Sequence, residues 1–493
     1  MIKNIKLLFL VSLTFIACND DEIVTYDTAD GLPLTAGTAD FSKYVALGDS
    51  YAAGFSDGAL FIEGQKGAYP NILSQQFALV GGGTFTTPLM ADNTGGLLLG
   101  GTPIQGVRLY FNGKAPVTVA GSPTTEITKH LTGSFNNMGI PGAKSFHLLA
   151  PGYGNTAGIA LGTASPYFSR FSSNTTTTVL ADAIAQTPTF FSLWIGGNDV
   201  LGYALSGGDG TNPITPTATF SGAYNSLVSQ LAAGGRKGVI ANLPYVSALP
   251  HFTTVPYNPV PLDAATVAKL NSAAAYGAYN AGIAQAFAYL VANNLMTQTN
   301  ADAEKAKRTI TFRVGAGNAV VMMDEYLTNL TNINPALVSM RQATEEDLIV
   351  LPASSFIGST VGGNPELVNG VSVPLADKWV LSKDEIKETK AATDAYNVTI
   401  ETAASTNNLA FVDAKMIMNQ LSTTGITANN FTINATFVSG GAFSLDGFHP
   451  TPRGYALIAN EFIKAINTKY GSNLNGVNLG DYRILFPRDA ANF

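Results

Sequence analysis

Two short stretches hold the residue types that acyl transfer needs. In KYVALGDSYAAG, Lys43 to Gly54, four residues of apolar strand character, Tyr44 to Leu47, run into Gly48, Asp49 and Ser50. Near the other end, LDGFHP sets Asp446 and His449 three residues apart, just before a helical pattern. A serine hydroxyl is a weak nucleophile until a base takes its proton. An imidazole held on one nitrogen by a carboxylate is such a base, provided its other nitrogen faces the serine. A spacing of three lets Asp446 and His449 share one tight turn in that arrangement. The chain has four histidines. His449 alone pairs with an acid at this spacing in a turn before a helix. His130 and His147, in polar or apolar flanks, read as structural, and His251 has a weak case for touching substrate.

Known serine patterns narrow the reading. A chymotrypsin-like Gly-Asp-Ser is followed by glycine, and its histidine and aspartate come earlier in the chain. Here residue 51 is Tyr51 and the first histidine is His130. The strained elbow G-x-S-x-G needs glycine at position 52, which is Ala52. An ordinary turn is the remaining alternative for Ser50, and Asp446 with His449 argue against it.

Four blocks, in one order along the chain, resemble the SGNH, or GDSL-type, hydrolases: GDSYAAG, NNMGIPGAKS, IGGNDV and DGFHP. Each block alone is a weak signal; the four in order, each at a strand end or loop, are strong. The resemblance covers the alternating parts of residues 41–245 and 382–468. It implies an α/β chain with a flavodoxin-like three-layer α/β/α sandwich and a parallel sheet. It also implies carboxylic ester hydrolysis through an acyl-Ser50 intermediate, with His449 as base and Asp446 as its partner. An oxyanion hole would come from the backbone N–H of Ser50, the backbone N–H of Gly142 and the side-chain amide of Asn198. Asp49 and Asp199 read as turn-stabilising carboxylates, the usual local role of aspartate. The family includes lipases, thioesterases, arylesterases and carbohydrate deacetylases, so the acyl and alcohol groups stay open. A carbohydrate O-acetyl esterase is one alternative. A non-catalytic surface ligand-binding lipoprotein on the same fold is another; its mark would be a missing catalytic residue, and none is missing.

The elements that must carry these residues are legible as an alternation. Tyr44–Leu47, GSFNNMG, TFFSLWIGGND, GVIAN and LAFVDA read as strands. Between them, helices are expected from Pro70, from Phe220 to Ala233, and from Ser382 to about Thr406. Ser382 and Glu385 make a capping box there. A last helix starts at Thr451 and Pro452. Strand and helix alternating at this spacing imply a parallel sheet covered on both faces. Residues 79–133, rich in Gly and Thr, and 245–380 break the rhythm and are expected as two large insertions. The second is expected to hold one long helix, about Ala264 to Asn294.

Composition bounds the setting. The chain has 493 residues, 12% charged, with a net charge of −7, against about 25% charged residues in an average domain. No basic patch is visible, so nucleic acid is not an expected partner. Lys3 and Lys6 precede an apolar run that ends FIAC, which resembles a bacterial lipobox with Cys18 as the lipidated residue. The acidic NDDE that follows resembles the export signal of Bacteroidetes surface lipoproteins. Cys18 is the single cysteine. The expected organisation is a lipoprotein signal peptide over 1–18, a flexible tether over 19–40 and a hydrolase domain over 41–493. The protein is then an outer membrane lipoprotein, at the cell surface or on the periplasmic face. An ester, acyl lipid or acylated glycan, would be its partner, and the membrane would be met through the lipid anchor only. Histidines are scattered, GGDGTN reads as a turn rather than a calcium loop, and no metal or cofactor is expected.

Overall fold

Five short stretches pair side by side as β1 (Tyr44–Gly48), β2 (Asn137–Gly139), β3 (Phe190–Trp194), β4 (Lys237–Ala241) and β5 (Ala410–Val412). They do so in a computed structural model that describes residues 31–489. Every pairing is parallel, and the order across the sheet is β2-β1-β3-β4-β5. Every residue of β1 and β3 is buried, as a parallel sheet covered on both faces requires. Tyr44 is tolerated there because its hydroxyl meets the Ser192 hydroxyl at 2.7 Å across the β1–β3 seam.

Right-handed crossovers in this strand order set the helices in two layers. On one side, α2 (Tyr69–Ala78) packs against α8 (Pro452–Tyr470). On the other, α5 (Thr217–Leu231) packs against α6 (Lys383–Thr406). Local chemistry starts these helices where the sequence places them. Ser382 and Glu385 form a reciprocal capping box on α6, and the Thr451 hydroxyl accepts the Gly454 N–H at the start of α8. Along α8, Tyr455, Ala459, Phe462, Ile463 and Ile466 are buried, while Ile458 is half-buried.

Two expectations change, and one helix is new. The helix expected over 264–294 is two helices, Ala264–Leu270 and Tyr276–Ala292. Asn271 ends the first, because its side-chain amide clasps the Phe312 backbone in both directions, at 2.8 and 3.0 Å. Residues 35–39, expected in a loose tether, are pinned to the end of α8. There Thr38 N–H donates to Tyr470 O, Thr35 N–H donates to Asn473 Oδ1, and Ala39 is buried. A helix with no expectation behind it, α7 (Ala414–Thr423), follows β5. Residues 1–18, expected as a signal peptide ending at Cys18, lie outside the described residues. Within 79–133 the backbone forms two hairpins, Leu97–Leu99 with Thr102–Gln105 and Leu109–Phe111 with Pro116–Thr118. Within 245–380, buried Arg341 grips Asp324 at 2.5 Å and Asp347 at 2.6 and 2.7 Å, and it lies in the strand Met340–Gln342, paired antiparallel with Val321–Met323.

The sheet presses directly on the segment that carries the serine. The short helix α1 (Ser50–Ala53) follows β1 and lies against β2. A β-carbon on Gly139 would sit 2.6 Å from the Ala52 carbonyl carbon, a clash with backbone that no side-chain movement relieves. Gly139→Ala is therefore expected to destabilise the protein by about 1–3 kcal/mol, the usual cost of overpacking. Urea denaturation checks this; a midpoint equal to wild type would mean that α1 is free to move off the sheet.

Candidate active site

Asp446 and His449 lie in a turn that closes on itself before α8. Phe443 and Pro450 form an antiparallel bridge, and Ser444 N–H donates to His449 O at 2.8 Å. Inside the turn the buried Asp446 carboxylate accepts five hydrogen bonds. Oδ1 takes Phe448 N–H at 3.0 Å, His449 N–H at 2.9 Å and the Ser444 hydroxyl at 3.2 Å. Oδ2 takes Gly58 N–H at 2.9 Å and faces His449 Nδ1 at 2.9 Å. Nδ1 is thus the donor, and Nε2 is the nitrogen free to accept a proton. Burial alone would raise this carboxyl. The imidazole and the N–H groups of His449 and Phe448 outweigh it and hold the group at about 2.

Ser50 comes from the other end of the chain. It follows β1 directly, with Asp49 capping α1 by accepting Tyr51 N–H at 3.0 Å. Ser50, Asn198 and His449 line one cavity of about 50 Å3, with Tyr51, Trp194 and Asp49 among its other walls. The Phe55 ring packs 4.5 Å from the His449 ring. Asn198 starts α4 (Asn198–Leu205) at the end of β3 and donates one side-chain N–H to Ala143 O at 3.0 Å. Its amide has a second N–H to offer. Gly142 precedes Ala143 with φ +78° and open space where a β-carbon would stand. It lies beside Asn198's acceptor rather than in the cavity wall. Asp199 holds this junction: its carboxylate accepts Ser145 N–H at 2.8 Å and the Ser145 hydroxyl at 2.9 Å. Asp49 thus serves its own turn, as expected, whereas the Asp199 carboxylate ties its helix to Ser145, 54 residues away. Burial raises both carboxyls, Asp49 to about 6 against the opposing pull of Tyr51 N–H and His449.

Two residues that no motif marked brace the acid–base turn. His251 Nδ1 donates to Asp446 O at 3.0 Å, and its backbone N–H donates to Gly447 O at 2.9 Å. Gly447 has φ +81°, and a β-carbon there would meet the His251 backbone at 2.9 Å, so the turn needs glycine. Asp57 works from the opposite side. Its N–H donates to the Ser444 hydroxyl and its Oδ1 accepts Leu445 N–H, at 2.9 and 3.0 Å. It holds φ +50°, a conformation that aspartate and asparagine tolerate better than most residues. A Ser-Asp-Gly turn at 56–58 was the only signal available, and it carried no hint of a partner nearly 400 residues away. The other histidines are structural. His130 Nε2 meets Ser172 O at 2.9 Å, and the His147 ring stacks on Tyr153, its pKa pushed down to about 4 by burial and by Lys144. In GGDGTN, Asp209 Oδ1 accepts the N–H and hydroxyl of Thr211, an ordinary Asx turn. Among the described residues, no three His, Cys, Asp or Glu converge as a metal ion requires.

No protein-family model matches this chain, and no curated protein does. Solved structures similar to it include a mutant of Axe2, an acetyl-xylooligosaccharide esterase from Geobacillus stearmophilus. It is 11% identical with a TM-score of 0.33, over 87% of this chain and 96% of that one. Another is an extracellular lipase from Streptomyces rimosus, 12% identical with a TM-score of 0.29, over 86% of this chain and 98% of that one. Both scores lie below the level at which a shared fold follows.

Asp57 offers a test of the brace. Burial, with Asp446 nearby, pushes its carboxyl up to about 7, against the pull of Leu445 N–H and Arg108. A carboxyl raised by folding binds a proton on folding between roughly pH 4 and 7. Stability therefore falls as pH rises through that window and stays low above it. Asp57→Asn keeps the acceptor oxygen and the left-handed backbone but carries no charge. It is expected to melt several degrees higher, relative to wild type, at pH 8 than at pH 4. Thermal denaturation at both pH values checks this, and a difference independent of pH would refute it.

Proposed function

We propose that this chain is a serine ester hydrolase, which cleaves carboxylic esters through an acyl-Ser50 intermediate. One observation carries the reading: Ser50, Asn198 and His449 line a single cavity, and His449 Nδ1 is held at 2.9 Å by a buried carboxylate. A structural turn needs no such convergence of a hydroxyl, an oriented imidazole and an amide from three separate segments. The blocks that resemble the SGNH hydrolases supply these same residues.

In this mechanism Ser50 Oγ attacks the ester carbonyl carbon while His449 Nε2 takes the hydroxyl proton. Asp446 keeps the proton on Nδ1 before attack and stabilises the imidazolium afterwards. The oxyanion that develops receives the free N–H of Asn198 and the backbone N–H of Ser50, while Gly142, outside the cavity wall, lies next to Ala143, whose carbonyl holds the Asn198 amide. Such donors matter most because they are fixed before charge appears. Asn198 is fixed by its bond to Ala143 O. His449 then gives its proton to the leaving alcohol. A water molecule, deprotonated by the same nitrogen, attacks the acyl carbon and frees Ser50. The chain is further read as a surface lipoprotein of the outer membrane, anchored through Cys18. Among the described residues no helix is long and apolar enough to cross a membrane.

Ser50→Ala is expected to fold normally and to lose p-nitrophenyl acetate hydrolysis on the order of 10⁶-fold, as loss of a triad nucleophile does elsewhere. Asn198→Ala is expected to lower kcat by about 10²–10³ with little change in KM. Steady-state kinetics on folded protein decide both, and wild-type activity in Ser50→Ala would end the ester-hydrolase reading. Cys18→Ser is expected to leave the membrane fraction or to accumulate unprocessed. Processed Cys18→Ser recovered in that fraction would contradict the anchor.

A further inference from the structure

Behind the catalytic cavity lies a second one that the mechanism does not use. It has a volume of about 50 Å3 and runs between α7 and α8, beneath the ends of β3 and β5. The two cavities share Tyr51, Trp194, Pro244 and Leu249 as a common wall. Ile417, Met418 and Leu421 face it from α7, and Leu457, Ile458 and Phe462 face it from α8.

The chemistry of the second cavity is one-sided. No charged residue lines it, and only two of its side chains carry a polar atom, Tyr51 and Trp194. Both are already satisfied: the Tyr51 hydroxyl donates to Phe448 O, and Trp194 Nε1 donates to Asn242 O at 3.0 Å. A sugar hydroxyl placed there would find no free side-chain partner and would lose its hydrogen bonds to water, which is costly. Apolar cavities of this kind stay dry and accept hydrocarbon. Position selects which part of an ester this is. The acyl group is the part that remains on Ser50, and the dividing wall begins at the very next residue, Tyr51. Tyr51 stands edge-on to Trp194, 5.1 Å between centroids, and is tethered to the acid–base turn through Phe448.

We propose that the substrate's acyl group is an aliphatic chain and that its tail occupies the slot between α7 and α8, entering past Tyr51 and Trp194. This rests on the ester-hydrolase reading and narrows it to fatty acyl esters. The slot then measures chain length, and Met418 and its neighbours on α7 set that measure.

The test is a chain-length series of p-nitrophenyl esters. Wild type is expected to prefer octanoate to acetate by about tenfold or more in kcat/KM, a modest gain for several buried methylenes. Met418→Trp, which fills the slot, is expected to lower octanoate turnover about tenfold while acetate turnover stays within about threefold. If Met418→Trp does not fold, Met418→Ala serves in its place and is expected to move the preference to longer chains. Equal losses on both esters in a folded variant, or acetate preferred throughout, would overturn the proposal. So would octyl acetate cleaved faster than ethyl octanoate, which would put the chain on the alcohol. Calorimetric titration of Ser50→Ala with decanoate separates this from the parent reading. Binding that Met418→Trp abolishes supports the slot even if no ester is hydrolysed. Absence of decanoate binding overturns it even if acetate is a good substrate.

Discussion

A single buried carboxylate sets the terms for this site. Asp446 is charged in a place where burial opposes charge; the His449 ring and the N–H groups of His449 and Phe448 keep it so, and five donors in all converge on its two oxygens. Removing such a group from water is costly unless hydrogen bonds replace the lost hydration. Three of the five donors come from its own turn, Phe448, His449 and Ser444. The fourth is the His449 ring. The fifth, Gly58 N–H, arrives from the segment that carries Ser50. The same carboxylate therefore also joins the two ends of the chain. An imidazole oriented by a carboxylate and a serine delivered by a strand become one site because the same oxygens hold both segments.

The strand order explains why this junction falls where it does. In the order β2-β1-β3-β4-β5, the chain moves outward in one direction from β1 to β2 and in the other from β3 onward. Helices leave to opposite faces there, and a crevice opens beyond the carboxyl ends of β1 and β3, the usual ligand position in open α/β sheets. Ser50 follows β1 and Asn198 follows the end of β3. Their registers agree, with Gly48 opposite Trp194 and Gly139. Gly48 and Gly139 then let α1 settle directly on the strand ends. Tyr51 gains two roles from this placement: one face of its position walls the catalytic cavity, and its hydroxyl ties α1 to Phe448.

What surrounds the crevice also supports it. The region 245–380 contributes His251, whose ring and backbone both bond the Asp446 turn. The N-terminal hairpin region contributes through Arg108, which reaches the Pro487 and Arg488 carbonyls, and through Leu109, whose N–H bonds the Asp57 carbonyl. Segments that looked peripheral to the alternating pattern thus press on the turns that hold Asp446.

Much was legible before any coordinates. Ser50, Asp446 and His449 stand out as candidates because a nucleophile, an acid and a base must be particular residue types at strand ends and turns. Strands such as β1 and β3 are legible because a strand buried on both faces is almost continuously apolar. The capping box at Ser382 and the cap at Thr451 are legible because the side chains that satisfy a helix start lie within three residues of it. The break at Asn271 was not, since its cause is a clasp onto Phe312 about forty residues on. Nor was the ordering of residues 35–39, which depends on the far end of α8. The roles of Asp57 and His251, and the apolar slot between α7 and α8, were equally hidden. Sequence determined which residues are candidates for chemistry, because reactivity and short-range hydrogen bonding are properties of residue type and spacing. Only the tertiary structure decided what braces that chemistry and what borders it, because those contacts join residues hundreds of positions apart, and no local pattern encodes their meeting.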